Sequence, residues 1–321
     1  MSQRSRRSSQ VAILLSGGVR EALMAQPIVQ ACEGATVFAS ADAVGTLIGL
    51  AGVGRSLVVG RSPSELISEF LRLRRGAMTT AIVPYPADFL HSSLPYFAGL
   101  PRRIVFPGRN QWAASERIDG ARELHPVDGN WQLALAALQG PMAAAGSPPR
   151  LDPPESVRRQ VTARWPSAFG GGRRPLLLIP GGGGWSSARR GPLWPAERFA
   201  VVANQSSAEG VVLLSGVGDE HAVRETRSSI VKPTTVINLP QLTVEEAAVI
   251  SELSLAVIGH DGDLLHTAAA AGALVLAIGR APDVPPLGAR VISCWLEDFN
   301  LFPARQLLEV LAGQVTVDTY A

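Results

Sequence analysis

Residues 256–279 read AVIGHDGDLLHTAAAAGALVLAIG, and the fold class follows from this stretch. An apolar run, Ala256–Gly259, leads into a polar knot, His260-Asp261-Gly262-Asp263. Small and apolar residues then continue from about Leu264 to Gly272, and a second apolar run follows at Leu274–Ile278. Continuous apolar strands on either side of a helix mark a parallel sheet covered on both faces. The knot therefore falls at the carboxyl end of a strand and the amino end of a helix. Free backbone N–H groups and the helix dipole favour an anion there. Ala268–Ala271 let the helix lie close to the sheet, and the pattern predicts a phosphorylated ligand at the knot.

The rest of the chain repeats this alternation. Upstream, strands are expected at Val11–Leu15, Thr36–Ala39, Ser56–Val59, Ala81–Pro84 and Arg103–Phe106. Helical patterns separate them near Arg20–Cys32, Ala41–Leu50, Ser64–Arg74 and Asp88–Phe97, and another covers Val127–Leu138. Pro107–Val127, with its isolated Trp112, reads as a loop. In the second half strands are expected at Leu176–Ile179, Val211–Leu214, Thr235–Asn238, Leu255–Gly259, Leu274–Ile278 and Val291–Ser293. Helices are expected at Ala196–Ser206, Glu220–Ser229, Val244–Glu252, Gly262–Ala271 and Ala304–Ala312. This is the signature of right-handed βαβ units. The stretch QGPMAAAGSPPRLDPP (Gln139–Pro154) has the Pro, Gly and Ala content of an interdomain linker. The predicted fold is α/β, with two Rossmann-like domains whose parallel sheets face a central cleft. The boundaries are a disordered tail at 1–10, a first domain at 11–145, a linker and linking helix at 146–165, and a second domain at 166–321. The last helix is a candidate to pack back on the first domain.

Composition narrows the function classes. Hydrophobic residues make up 46% and charged residues 17% of 321, which is globular rather than disordered. A formal net charge of +2 is too small to argue for nucleic acid as a partner. Apolar runs are all cut by Gly, Pro or a charge before they reach membrane-spanning length. The start, MSQRSRRSSQ, lacks the apolar core of a secretion signal. Two cysteines, Cys32 and Cys294, imply neither a disulfide framework nor a zinc cluster. A cytoplasmic protein is expected.

Three more stretches stand at strand ends. Ser16-Gly17-Gly18-Val19-Arg20-Glu21 combines glycines that admit a ligand to the backbone with an acid in the first helical turn. Glu21 could instead complement the helix dipole. Pro180-Gly181-Gly182-Gly183-Gly184-Trp185-Ser186 could form a nest of N–H groups for phosphate, with Arg189 and Arg190 beyond it suited to a diphosphate. The alternative is a surface loop with solvated arginines. The run matches neither a Walker loop nor GxGxxG. In Ser215-Gly216-Val217-Gly218-Asp219-Glu220, Glu220 is the candidate for a ribose, whereas Asp219 reads more readily as a helix N-cap. Asp261-Gly262-Asp263 is thin as a metal site, so no metal and no cofactor is expected. His266 lies on much the same helical face as Asp263; alone, such a histidine is more often packed than catalytic.

Taken together, these residues resemble the bacterial heptosyltransferase family, glycosyltransferase family nine, which has the two-Rossmann GT-B fold. The family carries Asn-Asp-Ser/Thr-Gly-Pro-x-His between two strands, and here His260-Asp261-Gly262-Asp263-Leu264-Leu265-His266 matches it at Asp261 and His266. Its Pro-Gly-rich turn before Trp-Pro-x-x-x-Phe is similar to Pro180–Gly184 and Trp194-Pro195-Ala196-Glu197-Arg198-Phe199. Pro192 stands where the family usually has Lys, so that Arg189 or Arg190 would supply the cation. Gly-Gly-x-x-Glu is similar to Gly216–Glu220, and Asn-Leu-x-Gly-x-x-Ser/Thr-Leu to Asn238 through Val244. In the first half Glu21 falls on the family's catalytic Asp, Pro27 on its Pro, and Arg20 replaces a Gly. His125 begins a segment like the one that closes the family's first domain.

The resemblance implies an inverting, metal-independent glycosyltransferase. It would move a heptose or related sugar from a nucleotide-sugar, typically the ADP sugar, to a lipopolysaccharide-type or other glycan acceptor. Glu21 would be the catalytic base. Gly17, Gly18 and Arg20 would lie on the acceptor side. Gly181, Gly182, Ser186, Arg189, Arg190, Glu220, Asp261, Gly262 and His266 would bind the donor. The first domain would receive a glycolipid or glycan acceptor and the second would hold the nucleotide-sugar. Basic clusters at Arg4–Arg7 and Arg72–Arg75 suggest a weak peripheral contact with the inner face of the membrane, although such clusters are more often solvated. Two departures stand out. Glu21 is a methylene longer than Asp, enough to shift a base by about 1 Å, and Asp263 replaces a Gly and places negative charge near the expected diphosphate. They keep open a catalytically degenerate homologue that binds a nucleotide-sugar without transferring it. A Rossmann oxidoreductase is disfavoured because no GxGxxG follows a first strand.

Overall fold

A computed structural model describes residues 10–48, 55–58, 63–76, 78–118, 120–138, 148–185, 193–279, 284–295 and 303–313. The chain divides at Pro149–Arg150 into two compact units. The first holds β1 (Val11–Leu14), β2 (Thr36–Ala39), β3 (Arg55–Val58), β4 (Thr80–Val83) and β5 (Arg102–Val105) in the order β3-β2-β1-β4-β5. The second holds β6 (Leu176–Ile179), β7 (Val211–Ser215), β8 (Thr234–Asn238), β9 (Ala256–His260), β10 (Val275–Gly279) and β11 (Val291–Trp295) in the order β11-β10-β9-β6-β7-β8. Every pairing is parallel.

In each sheet the first strand lies inside, the chain winds outward on one side, and it then crosses to the other. This leaves a switch point between β1 and β4 and another between β6 and β9, the places where open α/β sheets take ligands. Burial explains why these runs became strands. β1, β4, β6, β7, β9 and β10 are buried along their whole lengths, as covered parallel strands must be. At Gly259 a Cβ would stand 2.7 Å from Ile179 Cβ, so β9 can lie against β6 there only with glycine. Helix Asp263–Ala270 ends at Gly272, whose φ of 77° is left-handed, with Ala273 N donating to Ala268 O at 3.0 Å. The second core gathers Leu176, Leu178, Phe199, Leu213, Ile258 and Leu276 around Trp194, which meets Phe199 edge-on at 4.9 Å.

Several expectations need correction. The single helix Arg20–Cys32 is two, Val19–Met24 and Gln26–Ala31, because Pro27 has no N–H to continue the ladder and instead opens the second helix. The loop 107–127 contains two 3-10 turns, Gln111–Ala113 and Ala121–Glu123, and a bridge between Ile104 and Glu116. Gln10 is not part of a free tail, since its carbonyl accepts from Thr79 N at 2.9 Å; residues 1–9, with Arg4–Arg7, lie outside the described residues. Of the predicted linker, 139–147 also lie outside them, while Leu151 N donates to Ala270 O at 2.9 Å and helix Glu155–Arg164 packs on helix Val244–Leu253. Each unit buries one free cysteine, and burial pushes the Cys32 thiol up to about 12 and that of Cys294 up to about 11.

The first unit also buries an acid. Glu69, on helix Pro63–Arg75, is 2% exposed, and neither carboxylate oxygen has a hydrogen-bond partner among the described residues. It lies within range of the cap of helix Phe89–Phe97, where Asp88 accepts from His91 N at 2.7 Å and from His91 Nδ1–H at 2.9 Å. Loss of water pushes the Glu69 carboxyl up to about 7; His91 and Arg72 oppose that shift and Asp88 adds to it. Because the folded state holds this proton more tightly than the unfolded chain, the contribution is complete below pH 4.5 and is lost as pH rises through 7. Glu69→Gln carries no such proton. The wild type should therefore lose about 3 kcal/mol relative to Glu69→Gln between pH 4 and pH 8 in urea unfolding. Parallel pH profiles would refute the assignment.

Candidate functional site

In the second unit the glycine run and the polar knot stand on either side of the switch point. β6 delivers Pro180–Trp185, all buried, and β9 delivers Asp261-Gly262-Asp263. They touch through backbone: a Cβ on Gly262 would lie 3.1 Å from Gly182 O, and Gly182 itself has a φ of 70°. The run also presses on the turn after β7. A Cβ on Gly181 would stand 2.0 Å from Asp219 Oδ1, and one on Gly216 would stand 2.2 Å from Gly183 O. Three chain segments that are separate in sequence thus meet at glycine, with no room for a side chain at Gly181 or Gly216 and little at Gly262.

Asp219 is the residue that sequence reasoning assigned differently. It occupies the N-cap position of helix Glu220–Ser228, yet its side chain caps nothing there. It is 3% exposed and turns back to accept from Gly183 N at 3.0 Å and from Gly216 N at 3.0 Å. One carboxylate therefore fastens two glycine loops, and Val217 N, donating to Gly184 O at 3.1 Å, closes the same seam. The glycine run is consequently a packed, hydrogen-bonded loop, not a loose surface one. Glu220 is exposed at the head of its helix.

At the knot, Gly262 is extended and precedes helix Asp263–Ala270. His266 is buried, and its Nε2 lies 3.4 Å from Asp261 Oδ1. Asp263 is half-buried in the first helical turn. His260 joins three elements. Its Nε2 accepts from Trp194 N at 3.1 Å, and its Nδ1, which must then carry the proton, points to Ile278 O at 3.3 Å. Trp194 and the strand β10 are held to the knot in this way. Ser186, Arg189 and Arg190 lie outside the described residues. Among the described residues no cluster of three or more His, Cys, Asp or Glu side chains could hold a metal ion.

In the first unit Glu21 sits on helix Val19–Met24, 7% exposed. Oε2 accepts from Gly18 N at 2.9 Å, and Oε1 accepts from Arg20 Nε at 3.0 Å. The carboxylate folds back over Gly17, where a Cβ would meet Glu21 Cγ at 2.2 Å. Gly17 O accepts from Ser40 Oγ at 3.0 Å, and Ser16 Oγ donates to Pro86 O, which ties the two loops of this switch point together. Gly18 faces open space. Behind them Asn130, fully buried, accepts from Tyr85 N and donates to Met24 O, both at 3.0 Å. Gly17, Gly18, Arg20 and Glu21 are therefore one cluster, and Gly181, Gly182, Asp261, Gly262 and His266 form another at the second switch point.

Residues 71–311 match the family described as glycosyltransferase family 9 (heptosyltransferase). The chain belongs to that family. This glycosyltransferase has no match among curated protein sequences, but solved structures share its fold. Escherichia coli ADP-heptose lps heptosyltransferase II is 19% identical with a TM-score of 0.75, covering 95% of this chain and 98% of that one. A family 9 glycosyl transferase from Veillonella parvula is 16% identical with a TM-score of 0.77, covering 96% and 98%. E. coli heptosyltransferase WaaC with ADP is 13% identical with a TM-score of 0.71, covering 95% and 100%. The two-sheet, GT-B-like architecture of this family 9 glycosyltransferase is thereby established.

Removing the Asp219 carboxylate leaves two buried N–H groups without an acceptor, each costing about 1–3 kcal/mol. Asp219→Ala should therefore lower the unfolding free energy by roughly 2–6 kcal/mol, while Asp219→Asn, which keeps one acceptor oxygen, should lose less. A urea midpoint unchanged in Asp219→Ala would deny the residue this role.

Proposed function

We propose that this glycosyltransferase moves a heptose or related sugar from a nucleotide-sugar, ADP-heptose by preference, to a lipopolysaccharide-type or other glycan acceptor, with inversion. The observation that carries the reading is the backbone contact of Gly182 with Gly262 at the second switch point. Two glycine loops and a helix amino end converge there, and that is what a diphosphate needs. The structural neighbours include WaaC crystallised with ADP and with ADP-2-deoxy-2-fluoro heptose, which supports an ADP-sugar as the donor.

In this reading the acceptor hydroxyl attacks the anomeric carbon and gives its proton to the Glu21 carboxylate. The new C–O bond forms as the bond from that carbon to the diphosphate breaks. Negative charge then gathers on the departing nucleotide, where backbone N–H groups at Gly181, Gly182 and Gly262 and the cations Arg189 and Arg190 stabilise it. Ser186 adds a hydroxyl on the donor side. Glu220, exposed at its helix head, takes the ribose, and Asp261 with His266 orients the donor. Gly17, Gly18 and Arg20 receive the acceptor.

A second reading, a homologue that binds the donor without transfer, is favoured by one observation: both oxygens of Glu21 already accept hydrogen bonds, one from Arg20. Glu21→Gln separates the two. Transfer from ADP-heptose should fall by about 10²-fold or more, while ADP affinity by calorimetry stays within about twofold. Undiminished turnover removes Glu21 from the mechanism, and its absence in the wild type with intact ADP binding selects the second reading. For the donor cations, Arg189→Ala together with Arg190→Ala should weaken ADP binding by about tenfold or more, equivalent to ~1.4 kcal/mol; unchanged affinity would refute that assignment.

A further inference from the structure

Four aromatic side chains in the first unit stand outside the core. Phe89, Tyr96, Phe97 and Trp112 are exposed to 61%, 48%, 63% and 47%. They are contiguous. Trp112, on the turn Gln111–Ala113, lies 6.0 Å from Phe89 and 5.5 Å from Tyr96 between ring centroids, and Tyr96 meets Phe97 at 5.4 Å. Helix Phe89–Phe97 supplies three of the rings on one face and buries His91, Ser92, Ser93 and Leu94 on the other.

The patch is built rather than incidental. Arg103 stands over the Tyr96 ring at 5.4 Å, and its guanidinium donates to Ala113 O at 2.8 Å and Leu100 O at 2.6 Å. One arginine thus pins strand, turn and helix so that the rings stay outside. Asn110 Nδ2, donating to Ala87 O at 2.6 Å, fixes the same turn to the foot of the helix. A preformed apolar face on a protein surface is a place for something to bind.

We infer that this face seats on an anionic lipid surface. Two observations choose lipid. Indole and phenol rings are apolar bodies with a polar tip, suited to the boundary between headgroups and acyl chains. Exposed cations stand near the face: Arg109 precedes the turn, and helix Pro63–Arg75, packed against the aromatic helix, ends in Arg72, Arg74 and Arg75, while the acid beside Phe89, Asp88, is paired with His91 Nδ1 at 2.9 Å. Glu116, the nearest acid in sequence to the turn, is paired with Arg102 at 2.8 Å. Arginine brings bidentate donors to phosphate while the rings enter the interface, and binding strength grows with both terms. Among the described residues no helix is long and apolar enough to cross a membrane.

The inference goes beyond the transfer reaction and is tested without donor or acceptor. Full-length protein is sedimented with vesicles of phosphatidylcholine containing about a third phosphatidylglycerol, and with phosphatidylcholine alone. The wild type should bind the anionic vesicles and bind the neutral ones more weakly. Phe97→Ser with Trp112→Ser should weaken anionic binding by about tenfold or more at unchanged thermal midpoint, and Arg72→Gln with Arg75→Gln should weaken anionic binding selectively. Failure of the wild type to bind, or equal binding by the aromatic variant, overturns the inference. Concentration-dependent self-association that the aromatic variant abolishes, without vesicle binding, assigns the face to a second copy of the chain instead.

Discussion

The constraint on which the second unit depends is that three chain segments come together where side chains have little or no room. β9 passes β6 at Gly259, the loop beyond β6 meets the turn beyond β7 at Gly183 and Gly216, and the knot beyond β9 meets the same loop at Gly262. Parallel strands bring their carboxyl ends to one edge, but they do not by themselves bring the following loops into contact. Glycine permits the approach and Asp219 holds it, because its carboxylate satisfies two N–H groups that would otherwise be buried without acceptors. The glycine run Gly181–Gly184 is therefore held in one packed arrangement against the loops beyond β7 and β9.

The first unit solves a similar problem with different chemistry. Its switch point is narrowed by Ser16, Ser40 and the glycine pair, and the acid Glu21 is folded against Gly17 instead of projecting outward. Asn130 supports this arrangement from behind through Tyr85 and Met24. The candidate site residues of both units stand at or beyond strand ends, where the sheet's order, not the local sequence, decides which loops are neighbours.

That distinction explains what could be read from the sequence. The strand Leu176–Ile179 is legible to the residue because full burial makes it an unbroken apolar run. The motif residues Asp261 and His266 were legible by resemblance to the family. Asp219 is not: its spacing to helix Glu220–Ser228 is that of an N-cap, and its actual partner Gly183 lies 36 residues back in the loop beyond β6. His260 was passed over for the same reason, since its partners Trp194 and Ile278 are reached only through the sheet. The break at Ala25 was missed because the apolar periodicity runs straight through Pro27. Trp112 looked isolated until the fold set it beside Phe89 and Tyr96.

Cys32 and Cys294 place one thiol in the core of each unit, both shielded and both held as the unreactive protonated form at neutral pH. Neither can be alkylated while its own unit stays closed. The molecule therefore carries a chemical clock in each half, so that labelling of one thiol before the other would report which half opens first, with no probe added to the chain.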